Sequence, residues 1–137
     1  MAGYSATALA KKLGIKQGSR VKTRGAPQNY LELLQPLPEG VVVSPRLRAP
    51  VDIWHLFVRE KSALQAKLEK ALTEIPQNAM IWVSWPKKSS ALASDMSEDE
   101  IRRVALPLGL VDIKVCAVDE TWSGLKLVIR LSNRQRT

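Results

Sequence analysis

Short apolar runs that alternate with amphipathic segments are the main pattern in this chain. Four runs of strand length stand out in its second part: VDIWHLFV (51–58), AMIWVSW (79–85), VDIKVCAV (111–118) and LKLVIRL (125–131). Near-continuous apolar runs of this length are typical of strands buried on both faces of a sheet. The pattern predicts four strands, and the polar, glycine-containing segment DETWSG (119–124) predicts that the last two form a hairpin.

Two segments between these runs carry apolar residues at helical spacing. In the first, which Pro76 ends, the apolar face consists of Leu64, Leu68, Ala71, Leu72 and Ile75. In the second, which runs up to Gly109, it consists of Ile101, Val104, Ala105 and Leu108. The pairs Ser62 with Gln65 and Ser97 with Glu100 have the spacing of capping boxes. We therefore predict an amphipathic helix at each place.

The first part of the chain has weaker patterns. Ser5 is expected to cap a helix over residues 6–13 that ends at Gly14, and a strand is expected around Val21. Residues 30–34 suit a short helix closed by prolines, and GVVVSP (40–45) suits another short strand.

These predicted strands and helices alternate, which favours right-handed crossovers between parallel strands. We predict one α/β domain over residues 1–137, a three-layer Rossmann-like fold with a mostly parallel sheet and a C-terminal antiparallel hairpin. Residues 1–19 would form its basic N-terminal helix and turn, and residues 131–137 a basic tail. A chain of this length is large enough for one core.

The net charge of +8 is unevenly distributed, because residues 1–24 contain six cations and no acidic residue. Arg130, Arg134 and Arg136 add a second basic segment at the C-terminal end. Clustered cations attract polyanions through counterion release, so nucleic acid is one partner to expect. The alternative is a basic surface that is simply solvated.

The sequence argues against metal and membrane chemistry. One cysteine, Cys116, and one histidine, His55, provide no ligand set for a structural zinc, although carboxylate-bound Mg²⁺ stays open. No run of about 18 apolar residues is present, and no apolar leader follows Lys11 and Lys12. We expect a cytoplasmic protein with no membrane partner.

Ligands of open parallel sheets bind beyond the carboxyl ends of the strands, and four predicted loops would share that edge. These loops provide the candidate ligand-binding residues: Gly25, Arg59, Trp85, Lys87, Lys88, Asp119, Glu120 and Trp122. We expect the two lysines to face either a bound anion or the two carboxylates, which would join the loops by salt bridges. The two tryptophans would either stack on a planar ligand or close the rim of the core.

Catalytic residues are hard to find. His55 lies in the middle of an apolar run, which favours a hydrogen-bonded core histidine over a general base. Cys116 is expected to be a small buried side chain, and neither Ser84 nor Ser123 has the sequence context of a nucleophile. We therefore expect no catalytic constellation.

Two resemblances add to these predictions. The segments LGIKQGSRV (13–21) and LGLVDIKVCAVDETWSGLKLVIR (108–130) resemble the start and the final hairpin of class I S-adenosylmethionine-dependent methyltransferases. Where that family carries a glycine-rich turn and an acidic residue, this chain has VKTRGAP (21–27), and no acid follows GVVVSP. The resemblance implies S-adenosylmethionine as a cofactor, which these departures disfavour.

Nearly the whole chain also resembles a family of small bacterial proteins known as the domain of unknown function numbered three thousand and fifty-two. The segments that carry this resemblance are YSATALAKKLGIKQG (4–18), WVSWPKK (82–88) and ALPLGLVDIKVCAVDETWSGLKLVIR (105–130). It implies a compact α/β protein and no particular reaction.

The main hypothesis is a non-catalytic, methyltransferase-like binding module for an anionic small molecule or an acidic partner. One alternative is a methyltransferase with a degenerate cofactor loop, and another is a basic protein associated with nucleic acid.

Overall fold

The computed structural model describes residues 8–134 and contains a six-stranded sheet. The strands are β1 (Arg20–Arg24), β2 (Val42–Ser44), β3 (Ile53–Phe57), β4 (Met80–Pro86), β5 (Leu110–Ala117) and β6 (Trp122–Ile129). The α-helices are α1 (Leu9–Lys12), α2 (Tyr30–Leu34), α3 (Leu64–Leu72) and α4 (Glu98–Ala105). Short 3-10 turns occupy Lys61–Ala63, Leu106–Leu108 and Leu131–Asn133.

The strand order in the sheet is β2-β1-β3-β4-β6-β5. Strands β2, β1, β3 and β4 pair in parallel, whereas β6 is antiparallel to both β4 and β5. The predicted α/β fold with a mostly parallel sheet and a C-terminal antiparallel hairpin is therefore confirmed.

Helices cover both faces of the sheet, because every residue of β3 is buried and alternate side chains point to opposite sides. On one face, Leu13 of the α1 end and Leu34 of α2 pack in a cluster with Val21 and Ile53. On the other face, helices α3 and α4 pack against a cluster that includes Ile81 of β4. The sheet and the helices on its two faces form three layers, and one cluster fills each interface between them.

The two predicted capping boxes have different outcomes. Ser97 caps α4, since its Oγ accepts a hydrogen bond from the backbone N–H of Glu100 at 3.2 Å. The Ser62 prediction is wrong, because α3 begins at Leu64, after the turn Lys61–Ala63, and has no side-chain cap of its own. A distant carboxylate replaces it: Asp95 Oδ1 accepts from the Lys61 N–H at 2.7 Å.

A side chain of β4 fixes the position of the segment that follows α1. Trp82 Nε1 donates to the carbonyl oxygen of Leu13 at 3.0 Å, immediately after α1. Gly14 follows with a left-handed φ of 82°, as predicted for the residue that ends this helix. The expected cap Ser5 lies outside the described residues, as do residues 135–137 of the predicted tail.

A buried hydrogen-bonded chain crosses the centre of the sheet. His55 of β3 lies between the hydroxyl of Tyr30, 2.7 Å from Nδ1, and the hydroxyl of Ser84, 2.7 Å from Nε2. The ring of Phe57 stacks on the imidazole at 4.3 Å. His55 and Ser84 are fully buried, so desolvation lowers the pKa of His55 to about 3. The predicted core histidine is therefore found, and it is neutral at physiological pH.

Gly25, directly after β1, lies against the end of β3. Its φ is 74°, and a Cβ built on it would lie 2.9 Å from the carbonyl oxygen of Phe57. This position requires glycine for two reasons, the left-handed backbone and the close approach of the two chains. The crevice between β1 and β3 is thus closed by backbone packing at this point.

The neutral state of His55 can be measured directly, because it is the only histidine of the chain. We predict that its imidazole NMR shifts stay constant from about pH 8 to about pH 4, while the fold persists. The folded-state pKa is below the unfolded value, so the free energy of unfolding should decrease as the pH falls from 6.5 toward 3. A titration midpoint near 6.5 in the folded protein would contradict the buried network.

The contact of Gly25 can be tested with a matched glycine. Gly18 has a φ of 77°, and a Cβ there would meet no atom within 4 Å. We predict that Gly18→Ala costs roughly 1–2 kcal/mol for the left-handed backbone alone. Gly25→Ala should cost more, by about 1–3 kcal/mol, because the Phe57 carbonyl must also move. Chemical denaturation of both variants measures the difference, and equal losses would show that the close approach is absent.

Candidate functional site

The carboxyl ends of β1, β3 and β4 lie at one edge of the sheet, and antiparallel β6 begins at this edge. The register places Pro86 at the end of β4 beside Trp122 at the start of β6. The loops that carry the predicted ligand-binding residues therefore share one edge, as the parallel arrangement requires. We call it the carboxyl edge.

Trp85 and Trp122 are core residues at this edge. They are 9% and 7% exposed and belong to the clusters on opposite faces of the sheet. Trp122 packs edge-on against the ring of Phe57, with 5.0 Å between the ring centroids. Their burial favours the prediction that these indoles close the rim of the core.

Asp119 organises the hairpin loop between β5 and β6. Its Oδ1 accepts from the N–H groups of Thr121 at 2.9 Å and Trp122 at 2.8 Å. Lys87 contacts the same loop through its backbone, because its N–H donates to the Thr121 carbonyl at 2.8 Å. Within residues 8–134 no salt bridge joins Lys87 or Lys88 to Asp119, so the expected salt bridge to that carboxylate is not formed.

The loop between β4 and α4 is fixed to the loop that follows β3. Arg59 Nε donates to the carbonyl of Ala93 at 3.1 Å, and Ser94 Oγ donates to the carbonyl of Arg59 at 2.8 Å. Together with the bond from Lys61 to Asp95, these contacts join two of the predicted loops. Arg59 thus positions the loop.

Two open grooves flank this joined pair of loops. One has a volume of about 420 Å³ and is lined by Arg59, Glu60 and residues 93–95. The other has a volume of about 490 Å³ and is lined by residues 86–88 and 92–97. We call the second one the lysine groove, because Lys87 and Lys88 form one of its sides. The grooves share residues 93–95.

Acidic residues near the lysine groove are paired with arginines. Glu98 and Asp99, in the first turn of α4, both pair with Arg102. Glu100 pairs with Arg103, and this hydrogen bond holds the pKa of the Glu100 carboxyl below its usual value. Arg102 also pairs with Asp112 at 2.9 Å, so its single charge is shared by three carboxylates and the N-terminal end of α4 stays net negative.

The carboxyl end of β2 carries no acidic side chain. Ser44 and Pro45 occupy it, and the Oγ of Ser44 accepts from the N–H of Arg46 at 3.1 Å. A ribose hydroxyl would find no carboxylate at this point.

Sequence reasoning missed one hydroxyl group that lies next to a potential general base. Ser84 Oγ lies 2.7 Å from His55 Nε2, because parallel pairing places the middle of β3 beside β4. Both side chains are fully buried, so this pair has no access to a substrate. Cys116 is half-buried, and desolvation raises the pKa of its thiol.

Several basic side chains of these segments bind other parts of the chain. Lys22 pairs with Glu74 at 2.8 Å, and Arg20 donates to the carbonyls of Pro50 and Arg48. Arg134 donates to the Ile129 carbonyl, and Arg136 lies outside the described residues. Among residues 8–134, no helix has the length and apolar composition to cross a membrane, and no group of three metal-ligating side chains is found.

Sequence reasoning also missed the residues that shape the grooves, Ala93, Ser94 and Asp95. The length of the loop between β4 and α4 can be seen in the sequence. The contacts of its residues with Arg59 and Lys61 cannot, because they join positions 34 or 35 apart.

Searches against protein families and curated proteins found no relative: no protein-family model and no curated protein matches the chain. Membership of the family numbered three thousand and fifty-two therefore stays a prediction.

Solved structures of similar fold include several methyltransferases. A S-adenosylmethionine-dependent methyltransferase from Aquifex aeolicus is 13% identical, with a TM-score of 0.62 over 88% of this chain and 87% of that one. Aeropyrum pernix fibrillarin with bound S-adenosylmethionine is 14% identical, with a TM-score of 0.62 over 88% of this chain and 73% of that one. TrmN from Thermus thermophilus is 14% identical, with a TM-score of 0.61 over 89% of this chain.

The chain spans only 47% of the TrmN structure. At these identities the likeness concerns the fold alone, since one fold supports many activities. The chain has a methyltransferase-like Rossmann fold.

Proposed function

We propose that this chain is a binding module that takes a small anionic ligand, or an acidic segment of a partner, in the lysine groove. The observation that carries the proposal is the position of Lys87 and Lys88. Both follow β4 directly at the carboxyl edge, and they line a groove of about 490 Å³. In open α/β sheets this edge is where ligands bind.

The charges around the groove support an anion. Asp95 is the carboxylate that lines the groove, and its Oδ1 is bonded to the Lys61 N–H. The acids of the first α4 turn are paired with Arg102 and Arg103. The N-terminal end of this eight-residue helix also favours negative charge through its dipole. Lys87 and Lys88 are the cations that line the groove itself.

A non-catalytic role is supported by the residues around the groove. Ser90, Ser94 and Ser97 occur in the loop, but His55, the single histidine, is sealed in the sheet. An activated nucleophile needs a base within hydrogen-bond reach. Within residues 8–134, the pair of His55 and Ser84 is a fully buried hydrogen bond in the sheet.

A second candidate is S-adenosylmethionine binding in a methyltransferase, and the comparisons favour it more than the first. Several structures of similar fold are described with this cofactor. The residues at the corresponding edge do not fit it. Gly25 packs on the Phe57 carbonyl, and Ser44 and Pro45 stand where an acidic residue would hold a ribose.

The two candidates predict different ligands in a thermal unfolding assay. We predict that pyrophosphate or ATP raises the unfolding temperature, because a ligand at a hundred times its Kd adds about 2.7 kcal/mol. The double variant Lys87→Ala, Lys88→Ala should lose this shift. The control Lys11→Ala, Lys12→Ala removes the same charge from another adjacent lysine pair and should keep it.

Three outcomes decide between the candidates. Stabilisation by S-adenosylmethionine, unaffected by the Lys87 and Lys88 changes, would establish the second candidate. Anion stabilisation that the control pair loses equally would show a general charge effect and contradict the lysine groove. The absence of a shift with pyrophosphate, ATP and polyglutamate would also contradict it.

A further inference from the structure

One face of the sheet is left without a helix over β1 and β2. Helices α1 and α2 cover the opposite face of these strands. On the α3 side, the connection from β2 to β3 contains no helix. Its segment 47–50 lies there instead, since Leu47 packs against the α3-side cluster and Arg20 donates to the carbonyls of Arg48 and Pro50. Val42 of β2, which pairs beside Arg20, is accordingly 44% exposed. This surface therefore has no helix above it.

A row of cations lies on that surface. Arg20, Lys22 and Arg24 alternate along β1 and therefore point to the same face, about 6.6 Å apart. Helix α3 adds Lys67 and Lys70 beside them. Glu74 contacts Lys22 at 2.8 Å and Lys70 at 3.4 Å, and Asp52 accepts from the backbone N–H of Arg20 at 2.8 Å. The five cations outnumber these two carboxylates.

The cations surround an apolar groove between β1, β3 and α3. The groove has a volume of about 420 Å³, and we call it the α3 groove. Its lining consists of Arg24, Trp54, Leu56, Ala63, Ala66, Lys67 and Lys70. Lys22 Nζ lies 5.2 Å above the Trp54 ring, whose Nε1 donates to Glu74 at 3.0 Å. Trp54 and Leu56 are only 2% and 0% exposed, so the accessible apolar walls are formed by Ala63, Ala66 and the aliphatic stems of the lysines. These walls are combined with a cationic rim.

We propose that the α3 groove binds single-stranded nucleic acid, with one unstacked base against its apolar walls and neighbouring phosphates on Arg24, Lys67 and Lys70. Single strands are held in this way, by a positively charged track next to surfaces that accept a base. The site is separate from the lysine groove and does not depend on the function proposed for it.

The geometry favours a single strand over other anions. A duplex offers phosphates but keeps its bases stacked, so the apolar walls would stay unfilled. An acidic peptide supplies charge but no flat base to cover those walls. The cations also continue past the groove to Arg20, and Arg46 and Arg48 follow β2 in the chain. This length suits a polymer better than one mononucleotide.

The test uses a charge placed inside the groove and a matched charge outside it. Ala66 lines the groove, whereas the adjacent Gln65 does not, and both are exposed on α3. We predict that Ala66→Glu weakens binding of a labelled oligonucleotide of about a dozen nucleotides by about ten-fold, measured by fluorescence anisotropy. Gln65→Glu adds the same charge to the same helix and should change affinity by less than about three-fold. The unfolding temperatures of both variants serve as the folding control.

A salt series gives a second readout. Three neutralised phosphates on a single strand should give a slope of log affinity against log salt near −2. The double variant Arg24→Ala, Lys67→Ala should reduce the steepness by about 1.4. The variant Lys87→Ala, Lys88→Ala should keep the slope, which separates this proposal from the function proposed for the lysine groove.

Several outcomes would overturn the proposal. Equal losses in Ala66→Glu and Gln65→Glu would place the contact elsewhere. Equal binding of duplex, polyglutamate or AMP would show that a different anion is the occupant. If the protein does not bind the oligonucleotide even at low salt, the proposed site is excluded.

Discussion

The parallel pairing of β1, β3 and β4 is the constraint on which the other features depend. It places His55 and Ser84 on neighbouring strands within hydrogen-bond distance, and the hydroxyl of Tyr30 on α2 binds the other ring nitrogen of His55. Buried polar groups are stable only when they are hydrogen-bonded, so these three side chains specify how the strands align. A shift of register by one residue would turn His55 to the other face and leave it unpaired.

This alignment also determines which loops meet. With β1, β3 and β4 parallel and β6 reversed, the residues after each parallel strand and before β6 share the carboxyl edge. The contacts of Arg59 and Asp95 then join the loops that follow β3 and β4. At this edge Gly25 packs against the Phe57 carbonyl. Cations line two separate grooves, the lysine groove and the α3 groove.

The sequence predicts the strands and α4 well because their signals are local. Apolar runs identify the strands, and Ser97 with Glu100 identifies the start of α4. Asp95 replaces Ser62 at the helical turn before α3 through a contact 34 positions apart, which no local pattern shows. Asp119 binds the N–H groups of its own loop, so it is not the partner of a lysine. The α3 groove is not predicted by the sequence either, because it is lined by residues of β1, β3 and α3 that only the fold brings together.

The shared edge itself is tested most directly by backbone NOEs between β4 and β6. The account predicts contacts of Trp85 with Ser123 and of Met80 with Val128, and protection from exchange of the Lys87 amide that binds Thr121. Contacts that instead place Trp122 beside Met80 would put the hairpin loop at the opposite edge and contradict the account.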